Sequence, residues 1–157
     1  DVILNIQGDE PMIKVEMIRD LISAFNDADV YMATLKKKIT EEKDINNPNI
    51  AKLITDSNNN AIYFSRSTIP YNRDNINDIS YFKHIGVYGY TKEFLEKFVS
   101  LPQSSLEKAE QLEQLRAIEN GYKIRVAETQ YQSIGVDLPE HIAVVEKELK
   151  KELKLSE

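Results

Sequence analysis

A layered α/β fold is what this sequence predicts, and three observations predict it. A short apolar, β-branched run opens the chain, followed by an amphipathic helical spacing and then a second strand-like run. Farther on, a polar, asparagine-rich turn joins two more strand-like stretches. The last third places capped helical segments around one further strand.

In chain order, Val2-Ile3-Leu4-Asn5-Ile6 reads as a strand buried on both faces. Residues 15–26 carry Ile18, Leu21, Ile22 and Phe25 at helical spacing, which predicts a crossover helix. Residues 30–35 return as a strand, and Lys36-Lys37-Lys38 reads as a solvated run. The polar stretch 40–49 contains Pro48, which argues against a regular element there. Residues 51–55 and 61–64 flank Asp56-Ser57-Asn58-Asn59-Asn60, a hairpin turn in which Asn tolerates positive φ. The run His84-Ile85-Gly86-Val87-Tyr88-Gly89-Tyr90 is a strand whose glycines imply close approach of a ligand or another element. Thr91 can cap the helix carrying Phe94, Leu95 and Phe98. Ser104 and Glu107 form a capping box for a helix ending near Gly121. Ile124 and Val126 alternate with charges over residues 123–128, a strand pattern. Asp137-Leu138-Pro139-Glu140 then opens a terminal helix with Ile142, Val145, Leu149 and Leu153 as its apolar stripe.

A chain of 157 residues with 41% hydrophobic content predicts one globular domain with a sizeable core. No apolar run approaches the ~20 residues of a membrane-spanning helix, so no membrane partner is expected. The opening also lacks the basic start of a secretory signal. Without cysteine there is no disulfide framework, thiolate chemistry or thiolate metal site, and a cytoplasmic location is expected. A net charge of -6 argues against a nucleic-acid partner. An anionic substrate would need a metal or a further basic segment to supply positive charge. The chain starts at Asp1 directly in a core-type strand, so further sequence upstream is expected.

Gln7-Gly8-Asp9-Glu10-Pro11 follows the first strand. Ligands of open α/β sheets bind beyond the carboxyl ends of such strands, and a carboxylate there can hold a divalent cation against phosphate. The same residues also read as a surface turn with Asp9 and Glu10 solvated. Asp137, with Glu140 three residues later, is first a helix-start device, although one oxygen can cap while the other coordinates. Two carboxylates on separate loops suit Mg²⁺. Strand alternation puts His84, Gly86, Tyr88 and Tyr90 on one face, a setting for a polyhydroxylated ligand or simply a structural histidine. His141, the second histidine, reads as solvated. On the capping-box helix, Leu106, Ala109, Leu112, Leu115 and Ile118 form an apolar arc, with Glu107, Glu110 and Gln114 opposite on a face that periodicity does not distinguish from an ordinary solvated one. Glu113 and Arg116 fall toward the arc as a partly buried pair. The Arg66 guanidinium either grips a carboxylate bidentately or rests on the surface.

Together these segments resemble the 3-deoxy-manno-octulosonate cytidylyltransferases, or CMP-Kdo synthetases. The matching pieces run in order from Asn5-Ile6-Gln7-Gly8-Asp9-Glu10-Pro11 through Met32-Ala33-Thr34-Leu35 to Asn47-Pro48-Asn49 with Lys52. They continue through Tyr63-Phe64-Ser65-Arg66, Thr68-Ile69-Pro70 and the whole run from His84 to Tyr90. The last are Leu112-Glu113-Gln114-Leu115-Arg116 and Gly135-Val136-Asp137-Leu138-Pro139-Glu140. The resemblance implies a layered, nucleotidyltransferase-type (Rossmann-like) mixed sheet with a hairpin excursion. It implies Mg²⁺-dependent transfer of CMP from CTP to the anomeric hydroxyl of Kdo, releasing pyrophosphate and activating Kdo for lipopolysaccharide synthesis. On this resemblance Asp9 and Asp137 would be catalytic and bind Mg²⁺. Gln7, Arg66, His84, Tyr88, Glu110 and Gln114 would line the sugar-acid pocket, and Lys52 would serve that side or the structure. A homodimer with the hairpin near its interface is also implied.

The family's basic, glycine-containing phosphate loop has no match here, so residues 1–157 are expected to be a partial cytidylyltransferase domain lacking that N-terminal segment and inactive alone. A cytidylyltransferase for another sugar acid, such as sialic acid, is the nearest alternative. An inactive remnant that only dimerises or binds ligand is the alternative of a different class.

Overall fold

The ten-residue strand Phe82–Thr91 carries residues that need burial on both faces, and the rest of the sheet assembles along its two edges. The computed structural model describes residues 1–8, 11–131 and 139–154. In chain order the elements are β1 (Val2–Ile6), α1 (Val15–Ser23), β2 (Met32–Lys38), α2 (Glu42–Ile45), β3 (Lys52–Thr55) and β4 (Ala61–Ser65). They continue with β5 (Phe82–Thr91), α3 (Lys92–Ser100), α4 (Ser105–Glu110), α5 (Leu115–Glu119), β6 (Arg125–Glu128) and α6 (Pro139–Lys154). The six strands form one sheet of order β4-β3-β5-β2-β6, and β1 also pairs with β5. The β2–β6 pair is parallel while β1, β2 and β3 run antiparallel to β5, so the sheet is mixed as expected. The carboxyl ends of β1, β2 and β6 therefore share one end of the sheet, the end at which β5 begins and near which His84 lies.

Side-chain alternation sorts the core into two layers. Tyr88 and Tyr90 of β5 join Met32, Phe64, Val126 and the α3–α5 residues Phe94, Phe98 and Leu115 on one face. Ile85 and Val87 join Ala33, Leu35 and the α1 residues Met17 and Leu21 on the other. The β2–β5 register breaks once: Thr34 lies opposite Tyr88 but Leu35 opposite Ile85, leaving Gly86 and Val87 as extra residues on β5.

The hairpin forms where expected. Asn59 takes φ 59°, and the Asp56 carboxylate accepts the Asn58 and Asn60 amides at 2.9 and 2.8 Å. Thr91 caps α3, and Ser104 with Glu107 makes the capping box of α4.

Several expectations need correction. The opening strand is not buried on both faces: Val2, Ile3 and Ile6 are 38%, 37% and 41% exposed, because among the described residues β1 is bonded along one edge only. Lys36-Lys37-Lys38 is no solvated run but the end of β2. Lys36 is buried, its ammonium 4.5 Å over the Phe82 ring and donating to Thr55 Oγ1 at 3.2 Å. A short helix, α2, forms within 40–49 despite Pro48, since the proline lies beyond its end. On α1 the buried residues are Met17 and Leu21, while Ile22 is exposed. The single helix expected from Ser104 to Gly121 breaks at Gln111, which adopts φ 53°. In α6, Val145 is buried but Ile142 and Leu149 are exposed.

The two glycines of β5 differ. A Cβ at Gly89 would lie 2.6 Å from Phe25 Cε2, so that glycine lets the Phe25 ring lie against the strand. Around a Cβ at Gly86 there is nothing within 4 Å. Gly89→Ala is therefore expected to destabilise the fold by about 1–3 kcal/mol through overpacking, whereas Gly86→Ala leaves folding stability nearly unchanged. Urea unfolding of the two variants checks this contrast.

Candidate functional site

Three elements converge at the amino end of β5. His84 and Tyr88 project from β5 with ring centroids 5.4 Å apart, and Phe64 of β4 meets His84 edge-on at 5.1 Å. Gly86 lies between them on the same face and leaves open space there. Gln7 follows β1, whose Ile6 pairs with Val87, so its exposed backbone approaches this same end. The α4–α5 joint adds Gln114 and neighbours Leu112 and Leu115, which pack with Tyr88 and Phe64 in one cluster.

Burial dominates the electrostatics. It pushes the His84 imidazole down to about 3, so the ring is neutral at physiological pH. Burial also raises Tyr88 well above the ordinary phenol value, with Tyr90 and the Glu113 carboxylate reinforcing it. Tyr88 thus keeps its proton. His84 Nε2 lies 2.9 Å from Thr34 Oγ1. The Gln114 side chain, in a residue 3% exposed, holds its Nε2 buried with no hydrogen-bond partner among the described residues. A buried amide donor without an acceptor is costly, so this atom marks either a ligand or a water position.

Arg66 and Glu110 are placed together but are occupied with the chain itself. Glu110 accepts from Ser65 Oγ at 2.7 Å and from the Arg66 amide at 2.9 Å. Arg66 Nε donates to the Glu110 carbonyl at 2.8 Å, Nη1 to the Pro48 carbonyl at 3.1 Å and Nη2 to the Gln111 carbonyl at 3.4 Å. The Glu110 and Gln111 carbonyls are ones that the broken helix leaves without intrahelical donors, and that of Pro48 belongs to the loop before β3. The bidentate Nε–Nη2 edge expected to grip a carboxylate is spent on them. Lys52, fully buried, donates to the carbonyls of Asn47, Ile50 and Arg66 at 2.8, 2.7 and 2.6 Å, so its role is structural.

The polar side of the capping-box helix is not a solvated face. Glu107 is buried and receives Arg116 through two bonds of 2.8 and 2.6 Å, while Glu113, the expected partner, stands at 3.5 Å and is largely exposed. Asp9, Glu10 and Asp137 lie outside the described residues, as do the side chains of Glu140, His141 and Leu153. Among the described residues no group of three or more His, Asp or Glu side chains is placed to hold a metal. Thr34 and Ser65 were not singled out from sequence. Each lies in a quoted motif, but neither hydroxyl signals its partner without the strand register.

The depressed value of His84 has a stability consequence. The neutral ring's contribution is fully present above the ordinary histidine value near 6.5 and is lost as pH falls from there toward 3. Stability is expected to decline by up to about 1.4 kcal/mol per pH unit across that window. His84→Gln is expected to flatten that part of the curve, as denaturant unfolding at stepped pH would measure.

Comparisons with known proteins bear on the family and the fold. The family model described as Cytidylyltransferase matches residues 1–124. A 3-deoxy-manno-octulosonate cytidylyltransferase of Fusobacterium nucleatum is 53% identical over 146 residues, covering 92% of this chain and 59% of the relative. That of Solibacter usitatus is 50% identical over 143 residues, covering 90% of this chain and 57% of the relative. A solved structure of CMP:2-keto-3-deoxy-manno-octonic acid synthetase complexed with CTP superposes with a TM-score of 0.89 at 36% identity, covering 97% of this chain and 63% of that one. The chain spans about three fifths of the length of the curated relatives it matches. By its sequence match and its mixed sheet alike, the chain belongs to the cytidylyltransferase family.

Proposed function

We propose that these residues form the sugar-acid side of an enzyme that transfers CMP from CTP to the anomeric hydroxyl of Kdo, releasing pyrophosphate. The buried amide of Gln114, without a hydrogen-bond partner among the described residues and beside the Tyr88 cluster, carries this reading. With neutral His84, protonated Tyr88 and the open space at Gly86, it offers hydrogen-bonding groups of no net charge to a polyhydroxylated ligand. The names of the curated relatives and of the solved neighbour support Kdo over another sugar acid such as sialic acid. In the reaction the anomeric oxygen bonds to the α-phosphorus as the bond to the departing pyrophosphate breaks, a step governed by positioning and charge neutralisation. His84, Tyr88 and Gln114 would hold the sugar acid, with Gln7 at its rim. Arg66 and Glu110 would act by fixing the α4–α5 joint.

Asp9 and Asp137 would hold Mg²⁺, since two carboxylates provide the hard oxygen donors that this ion takes. The ion would polarise the α-phosphate and offset repulsion between two anionic substrates. Exposed Ile62, Tyr71 and Ile76, in and after the hairpin, support a homodimer contact there, which sedimentation equilibrium would check. The reaction would run in the cytoplasm, where CTP is available, and would activate Kdo for lipopolysaccharide synthesis. Among the described residues no helix is long and apolar enough to cross a membrane.

The test is CTP-dependent pyrophosphate release by the full reading frame containing these residues, with Kdo or sialic acid and with Mg²⁺ or chelator. Turnover is expected with Kdo and Mg²⁺ only. Gln114→Ala and His84→Ala are expected to raise KM for Kdo at least tenfold while leaving that for CTP nearly unchanged. Asp9→Asn and Asp137→Asn are expected to abolish turnover with little change in Tm. Equal losses for both substrates, or full turnover in chelator, would overturn the assignment.

A further inference from the structure

Thr34 is fully buried on β2 where the β2–β5 register breaks. Its Oγ1 lies 2.8 Å from the Val87 carbonyl, 3.3 Å from the Ile85 carbonyl and 2.9 Å from His84 Nε2. A hydroxyl carries one proton, and a carbonyl can only accept. That proton is therefore committed to the strand, chiefly to Val87, and the oxygen's lone pair is what faces the imidazole. The contact at 2.9 Å then requires that Nε2 carry the ring's proton and donate it. The Phe64 and Tyr88 rings, at 5.1 and 5.4 Å, hold the plane of the imidazole. In a neutral ring Nδ1 is left with its lone pair.

We propose that Thr34 is a positioning residue of this site: its hydroxyl, anchored on the register break of β5, locks His84 in the Nε2–H form so that the ring meets its ligand as a hydrogen-bond acceptor at Nδ1. The proposal rests on the sugar-acid reading of His84 given above. Its consequence is selective. An acceptor at Nδ1 takes a hydroxyl of the ligand and repels a carboxylate oxygen, so His84 would orient the sugar acid through its hydroxyls. Thr34 itself does not touch the ligand.

Two measurements on the full-length enzyme test this. Nitrogen-15 NMR of histidine-labelled protein is expected to show His84 protonated at Nε2 and bare at Nδ1. Thr34→Ser, which keeps the hydroxyl, is expected to preserve that pattern and the KM for Kdo. Thr34→Val is expected to lose the single tautomer and raise KM for Kdo about five- to tenfold, the worth of one hydrogen bond, with KM for CTP unchanged. An Nδ1–H tautomer in the wild-type protein overturns the proposal whether or not Thr34→Val folds. So does a folded Thr34→Val protein with an unchanged tautomer and KM. If the tautomer behaves as stated but His84→Ala leaves KM for Kdo unaltered, the sugar-acid reading of His84 fails, and with it the ligand half of the proposal, while Thr34's hold on the ring stands.

Discussion

Both layers of this protein depend on a single strand that has to bury its two faces and pair along its two edges at once. Tyr88 and Tyr90 face the α3–α5 layer, and Ile85 and Val87 face α1. A strand so constrained cannot shift register without turning aromatic rings into the aliphatic layer. The one irregularity it contains, at Gly86 and Val87, would leave carbonyls without ladder partners in the interior, which is costly. Thr34 offsets part of that cost by donating its hydroxyl to the Val87 carbonyl, and the same oxygen holds His84. The packing solution and the candidate site therefore share an atom.

A second constraint comes from the broken helix. Gln111 in a left-handed conformation interrupts what would be a continuous amphipathic segment, freeing carbonyls that Arg66 collects. Glu110 returns the contact by accepting from Ser65 and the Arg66 amide, which joins the end of β4 to the end of α4. Glu107 bonds Arg116 across the break, and the Arg116 guanidinium lies 5.2 Å over the Phe98 ring. The hydrogen bonds from Arg116 hold the Glu107 carboxyl below its ordinary value, so the pair favours the ionised form. The outcome is that Gln114 starts α5 with its amide turned into the interior instead of toward solvent.

Much of the fold was readable because it rests on local rules. The hairpin follows from Asn59 accepting positive φ, and the caps at Thr91 and Ser104 follow from side chains reaching their own backbone. What was not readable depends on partners distant in sequence. Lys36 looks solvated until the register sets it against Phe82 and Thr55. Glu107 and Gln114 fall on a polar helix face by periodicity, and only the break at Gln111 shows that they turn inward. The placement of His84, Gly86 and Tyr88 on one face could be derived from strand alternation, but the hydroxyl that holds the imidazole lies fifty residues earlier in the chain. Arg66 had the chemistry of an anion clamp in the sequence, and its neighbours in space gave that chemistry another use.

The ammonium of Lys52 has all three of its protons given to main-chain carbonyls and no surface open to solvent. Burial lowers its affinity for a proton, yet a nucleophile must be reached before it can react. In a chain whose other lysines include many at the surface, this one amine stays shielded from acylating reagents as long as the loop at Asn47–Ile50 remains docked against Arg66. Its rate of chemical labelling therefore serves as an internal clock for local opening of the excursion, separate from global unfolding.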